Sequence, residues 1–185
     1  MTSKAKQPVA VIILAAGKST RMKSALPKVL HSLCGRPMLG YVLDLVAALK
    51  PAKTVAVLGY KQELVRKLLP SGVKIAIQKR LVGTADAVKV GLSALKGFKG
   101  TVLFLYGDNP LLKKETLKQL LDYHQINDVD VTLLTAQMNE PQGYGRIIRD
   151  QYSSICGIVE EKDANEVQKE IKEINTGVVC FDMRR

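Results

Sequence analysis

Residues Leu14 to Lys28, LAAGKSTRMKSALPK, put the pair Ala15-Ala16, a glycine and four cations (Lys18, Arg21, Lys23 and Lys28) into one short stretch. Small side chains let a backbone come close to a ligand, so that its N–H groups can meet phosphate oxygens. Fixed cations beside them complete a site for a polyanion, and a nucleoside triphosphate suits this combination. Gly17-Lys18-Ser19-Thr20 matches the second half of a Walker A loop, but the first glycine of that motif would fall on Ile12. No G-x-G-x-x-G follows either, which argues against a dinucleotide site. A solvated basic loop would explain the charges but not Ala15-Ala16-Gly17 beside them.

Asp108 is the second candidate. It follows the apolar run Thr101 to Tyr106 and sits next to Gly107. A carboxylate at a strand end suits Mg²⁺, which takes one or two carboxylates plus phosphate oxygens. Aspartate is also a favoured turn residue, and Asp108 stands before Asn109-Pro110, so on the residues alone a metal ligand and a turn cap are equally good readings. Gln78, with Gly83 and Thr84 after it, follows another apolar run.

These residues need a scaffold that delivers strand ends to one place. Val9 to Leu14 reads as a first strand, and Pro37 opens a helix carrying Met38, Tyr41, Val42, Leu45, Val46 and Leu49 on one face. Thr54 to Leu58 is a second strand, and Leu64, Val65, Leu68 and Leu69 form a short helix ended by Pro70. Val73 to Ile77 is a third strand, and Thr84 is expected to cap the next helix, with Val88, Leu92 and Leu95 on one side. Thr101 to Tyr106 is a fourth strand, Leu117, Leu120, Leu121 and His124 mark a helix, and Val129 to Ala136 is a fifth strand. The alternation predicts an α/β, Rossmann-like fold with a mostly parallel, mixed sheet and helices on both faces. After Ala136, segments 143–148 and 154–160 read as β, 165–172 as a polar helix and Val178 to Phe181 as a strand, a small appended β-rich part with no linker before it. In open α/β sheets ligands bind beyond the carboxyl ends of the strands, where Leu14 to Lys28, Gln78 and Asp108 all fall.

Composition narrows the classes further. At 185 residues the chain suits one domain with a sizeable core. Its longest apolar run is far short of the ~20 residues that span a bilayer, and the polar first residues do not read as a secretory signal, so no membrane partner is expected. Cys34, Cys156 and Cys180 are scattered, which points to free thiols in a reducing cytoplasm, and His31 and His124 are too few for a histidine-rich metal site. The net charge of +11 is spread along the chain without interleaved aromatics, so nucleic acid is not the expected partner.

LAAGKSTRMKSALPKVLH, GTADAV, YGDNPLL, GYGRI, IVEEKDA and EINTG occur in the order and spacing of one family. Together they resemble the uridylyltransferase domain of the bifunctional N-acetylglucosamine-1-phosphate uridylyltransferase/glucosamine-1-phosphate acetyltransferases, members of the sugar-phosphate nucleotidyltransferases. The resemblance implies transfer from UTP to N-acetylglucosamine 1-phosphate, giving UDP-N-acetylglucosamine, a cell-envelope precursor, and pyrophosphate. It implies that Leu14, Ala15, Ala16 and Gly17 contact the nucleotide, and that Arg21 and Lys28 neutralise charge on the pyrophosphate and α-phosphoryl group. Gln78, Gly83 and Thr84 would read uracil, and Asp108 would hold Mg²⁺. The sugar would meet Tyr106, Gly107, Gly145, Glu160 and Asn175. Beside Glu160, Glu161 and Lys162 are expected to be a solvated pair.

The chain departs from that pattern in three ways. Ser19 stands where the family often has glycine, and Asp86 where it often has histidine, so Asp86 is expected to point away from the phosphates. The resemblance also implies that the chain stops before an asparagine that completes Mg²⁺ coordination and before the β-helix acetyltransferase domain that makes the parent a homotrimer. On that expectation residues 1–185 are an incomplete uridylyltransferase domain with impaired turnover. The rival readings are a nucleotidyltransferase for another pair, such as GTP with mannose 1-phosphate, a nucleotide-binding module without turnover, and a basic nucleic-acid binder.

Overall fold

The protein is described by a computed structural model covering residues 6–18, 22–80 and 82–184. Its described residues form two compact units, one up to residue 132 and again from residue 180, and one of residues 133–179.

The first unit is built on β1, Val9–Ala15, in which Ala10 to Ile13 are fully buried. A strand covered on both faces needs apolar residues at every position, and VAVIILA supplies them. β4 (Lys53–Leu58) and β6 (Thr101–Tyr106) flank β1, and β5 (Lys74–Ile77) lies outside β4. All these pairings are parallel. Their carboxyl ends therefore point the same way, as the alternation of elements predicts.

Alternate residues of β1 face opposite sides of the sheet. Ala10, Ile12 and Leu14 join Val55, Val57, Val102 and Phe104 in a core under α3, Thr84–Ala94. Gly91 of α3 lies so close to the sheet that a Cβ there would sit 2.7 Å from Ile12 Cγ2. On the other side Ala15 approaches Gly107, whose Cα faces Leu39 of α1, Met38–Leu49, and Val29. Helices thus cover both faces. α2, Gln62–Arg66, ends earlier than its apolar spacing suggests, with Leu68 and Leu69 in the turn that follows.

One expectation needs correction, and one element has no counterpart in the sequence reading. Thr84 is not the cap of α3 but its first residue; the cap is Gly83 at φ +120°, a backbone angle that side chains disfavour. The chain between β1 and α1 also forms a hairpin, β2 (Ser32–Leu33) and β3 (Arg36–Pro37), turning at Cys34 and Gly35, both with positive φ.

The second unit begins within β7, Val131–Gln137. It contains β8 (Arg146–Arg149), β9 (Ile155–Val159), the single-turn helix α5 (Glu166–Lys169) and most of β10 (Glu173–Asp182). β8 runs antiparallel to both β9 and β10. α5 starts at a capping box in which Asn165 and Gln168 satisfy each other's backbone N–H groups. The end of β10 returns to the first unit, where Asp182 N–H donates to the Asp130 carbonyl at 3.0 Å. None of the helices among the described residues is long and apolar enough to cross a membrane.

The last helix of the first unit, α4 (Lys114–Asn127), buries Leu117, Leu120, Leu121 and His124 on one face. His124 Nδ1 lies 2.9 Å from Thr132 Oγ1. Burial lowers the His124 pKa below its ordinary 6.5, against the opposing attraction of Asp182. A depressed histidine binds its proton more readily unfolded than folded, so its contribution is complete above pH 6.5 and lost as pH falls through the folded value. Denaturant melts from pH 7.5 to 5 should show stability falling on the acid side, and His124→Asn should flatten that slope. An unchanged slope in the variant would remove His124 as its source.

Candidate functional site

A cleft of about 390 Å³ opens where β1, β5 and β6 end. It is lined by Leu14, Ala15, Ala16, Gly17 and Lys18 after β1, by Lys28 and Val29, by Gln78 after β5, by Gly83, Thr84 and Ala87, and by Tyr106 and Asp108 after β6. Its volume is in the range of small-molecule sites. The structure thus brings together eleven of the residues that the sequence singles out, all within the first unit.

The local folding explains each placement. Gly107 N–H donates to the Leu14 carbonyl at 2.9 Å and Tyr60 N–H to the Ala16 carbonyl at 3.1 Å, tying the start of the basic loop to its neighbours. A Cβ on Gly17 would meet no atom within 4 Å, so packing within the protein does not require glycine there. Lys18 Nζ lies 5.9 Å from the Tyr60 ring centroid, within cation–π range. Lys28 opens a single 3-10 turn after Pro27 and reaches Asp108, with Nζ 2.6 Å from Oδ2. That pair is half exposed, so it is worth only ~0–1 kcal/mol and can be exchanged for a ligand.

Gln78 is buried, and its Nε2 donates to the Gly83 carbonyl at 3.1 Å and to Asp86 Oδ2 at 2.8 Å. Asp86 is therefore engaged with the Gln78 amide, a pairing without a signal in sequence. Val29 and Ala87 also line the cleft; each is a small apolar residue with no chemical signal in sequence. Gly107 sits beneath the cleft lining, packed on Val29, Leu39 and Ala15. Ser19, Thr20 and Arg21 lie outside the described residues.

A model of the MobA-like NTP transferase domain matches residues 11–172. The chain belongs to the MobA-like NTP transferase domain family. Over 173 residues this NTP transferase domain is 49% identical to the bifunctional protein GlmU of Alkaliphilus metalliredigens, covering 94% of this chain and 38% of that protein. Over 174 residues it is 48% identical to the GlmU of Streptococcus mutans, with the same coverage. It thus spans 38% of the length of these curated relatives. UDP-glucose pyrophosphorylase complexed with UDP-glucose superposes with a TM-score of 0.79 at 16% identity, over 95% of this chain and 76% of that one. HddC from Yersinia pseudotuberculosis superposes with a TM-score of 0.72 at 20% identity, over 95% and 77%. At such identities the likeness is one of fold.

The remaining candidates of this NTP transferase domain meet in the second unit. Asn175 N–H donates to the Gly145 carbonyl at 2.8 Å, and a Cβ on Gly145 would lie 3.3 Å from Glu160 Oε1. Asn175 Oδ1 accepts from Gly177 N–H at 3.0 Å, which leaves its Nδ2 as the group to offer a ligand. The expected solvated Glu161–Lys162 pair is not formed. Glu161 Oε2 instead lies 2.8 Å from Nη1 of Arg146, whose side chain is 1% exposed, and accepts from Gly143 N–H at 3.1 Å. Arg146 also donates to the Tyr144 carbonyl. A buried guanidinium needs a counter-charge, and Glu161 supplies it.

Hydrogen bonding by Arg146 holds the Glu161 carboxyl below its ordinary 4.5; partial burial opposes this and Gly143 N–H adds to it. The stabilisation is therefore present above pH 4.5 and lost as pH falls through the lowered value. Glu161→Gln should lower the thermal midpoint at pH 7, whereas Lys162→Ala should leave it unchanged. Equal melting of the two variants would show that Glu161 is merely solvated.

Proposed function

We propose that the chain transfers a uridylyl group from UTP to N-acetylglucosamine 1-phosphate. The observation that carries the reading is the cleft, where a small-residue loop, Lys28, Asp108 and the Gln78–Gly83–Thr84 group converge at the carboxyl ends of parallel strands. Membership of the NTP transferase family supports the reaction class, and the likeness to the two GlmU proteins supports the substrate pair.

Backbone N–H groups at Ala15 to Gly17 would face the triphosphate, and the open side of Gly17 would admit its close approach. A phosphate oxygen of the sugar phosphate attacks the α-phosphorus, and the bond to the pyrophosphate oxygen breaks. Such transfers need positioning and charge neutralisation more than covalent help. Lys28 would leave Asp108 for the α-phosphoryl group, and Arg21 would meet the departing pyrophosphate. Asp108 fits a divalent cation: it is the carboxylate among the described lining residues, and it already holds an ammonium at 2.6 Å. Mg²⁺ held there would neutralise phosphate charge. Gly145, Glu160 and Asn175 would bind the sugar, as an acceptor and a donor toward its hydroxyl and amide groups.

The test is pyrophosphate release with UTP, Mg²⁺ and N-acetylglucosamine 1-phosphate. Release should require the sugar phosphate and yield UDP-N-acetylglucosamine by mass. Equal rates with glucose 1-phosphate would remove the sugar assignment, and no release from folded protein would remove the activity. Lys28→Ala should lower turnover by roughly 10²–10³-fold, the usual loss for a group that meets charge developing in the transition state. Its nucleotide affinity, by titration calorimetry, should change far less. Near-normal turnover would rule out that role for Lys28.

A further inference from the structure

We infer that Asp86 is a positioning residue that sets which nucleobase the cleft accepts, because it fixes the orientation of the Gln78 amide. The inference rests on the uridylyl reading above and concerns how its base is chosen. Gln78 is anchored at both ends: its backbone N–H donates to the Leu58 carbonyl at 2.8 Å, and its side chain is buried. Both groups that meet its Nε2, the Gly83 carbonyl and Asp86 Oδ2, can only accept hydrogen bonds. Turning the amide over would set Oε1 against two oxygens, one of them charged. The two Nε2 protons are thus spent inside the protein, and what Gln78 can offer the cleft is Oε1, an acceptor.

A base that pairs with Oε1 must bring an N–H to that point. Uracil does so through its imide N3–H. Cytosine has a bare lone pair at the same position, which would face the Gln78 oxygen and leave both unpaired. Asp86 supplies the stronger half of the lock, since a carboxylate makes a shorter, charge-assisted bond than a neutral carbonyl. It is the third residue of α3, where a negative charge is favoured by the helix end. Asp86 is not among the residues that line the cleft, so it acts on the base through Gln78.

The experiment is titration calorimetry of UTP and CTP against the wild-type protein and the variants Asp86→Ala, Asp86→Asn and Asp86→Glu. Wild type should bind UTP at least tenfold tighter than CTP, the scale expected when a mismatched base leaves buried polar groups unpaired. In Asp86→Ala the amide can rotate, and the ratio should fall to about threefold or less, mainly through tighter CTP binding. Asp86→Asn should also lower the ratio, but less than the alanine variant, because its NH₂ can donate to a reversed Gln78 while its Oδ1 can still accept from Nε2. Asp86→Glu, which keeps the carboxylate, should restore part of it. Asp86→Asn is nearly isosteric and serves as the folded control if the alanine variant melts early. A merely structural role would weaken both nucleotides alike and leave the ratio unchanged, which overturns the inference while the uridylyl reading stands. No UTP preference in the wild type overturns both.

Discussion

The close approach of Gly91 to Ile12 and Val57 sets where α3 can lie, and with it the geometry of half the cleft. Any side chain at that position would push the helix outward from a fully buried strand. Because the helix can lie flat on the sheet, its first turn reaches the end of β5, and Gly83 and Asp86 meet the Gln78 amide there. A displacement of about 1 Å at Gly91 would stretch the 2.8 Å Asp86 bond beyond useful length. Packing deep in the core and hydrogen bonding at the cleft are therefore parts of one arrangement.

The opposite side of the cleft is held by charge instead of packing. Lys28 and Asp108 come from segments far apart in sequence, and their ion pair keeps a cation and a carboxylate waiting at the same spot. A firmly buried pair would resist exchange, whereas this half-exposed one can open. The Gln78 side of the cleft is thus fixed in advance by hydrogen bonds, and the Lys28–Asp108 side is held only by an exchangeable pair.

Much of the scaffold was legible in the sequence because β1, β4 and β6 are apolar runs of strand length and α4 keeps a helical period through Leu117, Leu120, Leu121 and His124. The clustering of loop residues followed from parallel strands, whose ends must share an edge. Other features carried no periodic signal. Two-residue strands such as β2 and β3 show no alternation, and β10 starts at Glu173, ahead of its apolar stretch, where Ile174 is buried but Glu173 and Asn175 to Gly177 are only partly so. Glu161 was misjudged because its neighbour Lys162 is the obvious partner by sequence, while the buried Arg146 that holds it from β8 is fifteen positions earlier in the chain. Asp86 was expected only to avoid phosphate, since nothing in a sequence shows that a residue eight positions away turns its amide toward it.

The return of β10 to the first unit has a consequence for how the molecule loosens. The chain leaves for residues 133–179 just after Asp130 and comes back at Asp182, and these two residues are bonded backbone to backbone at 3.0 Å. The second unit is thus an excursion tied at its neck. Thermal breathing inside the excursion need not propagate past the knot, because the entropy of bringing its ends together is already spent. Amide protons of β8 and β9 can then trade with solvent through openings confined to the segment between its tied ends.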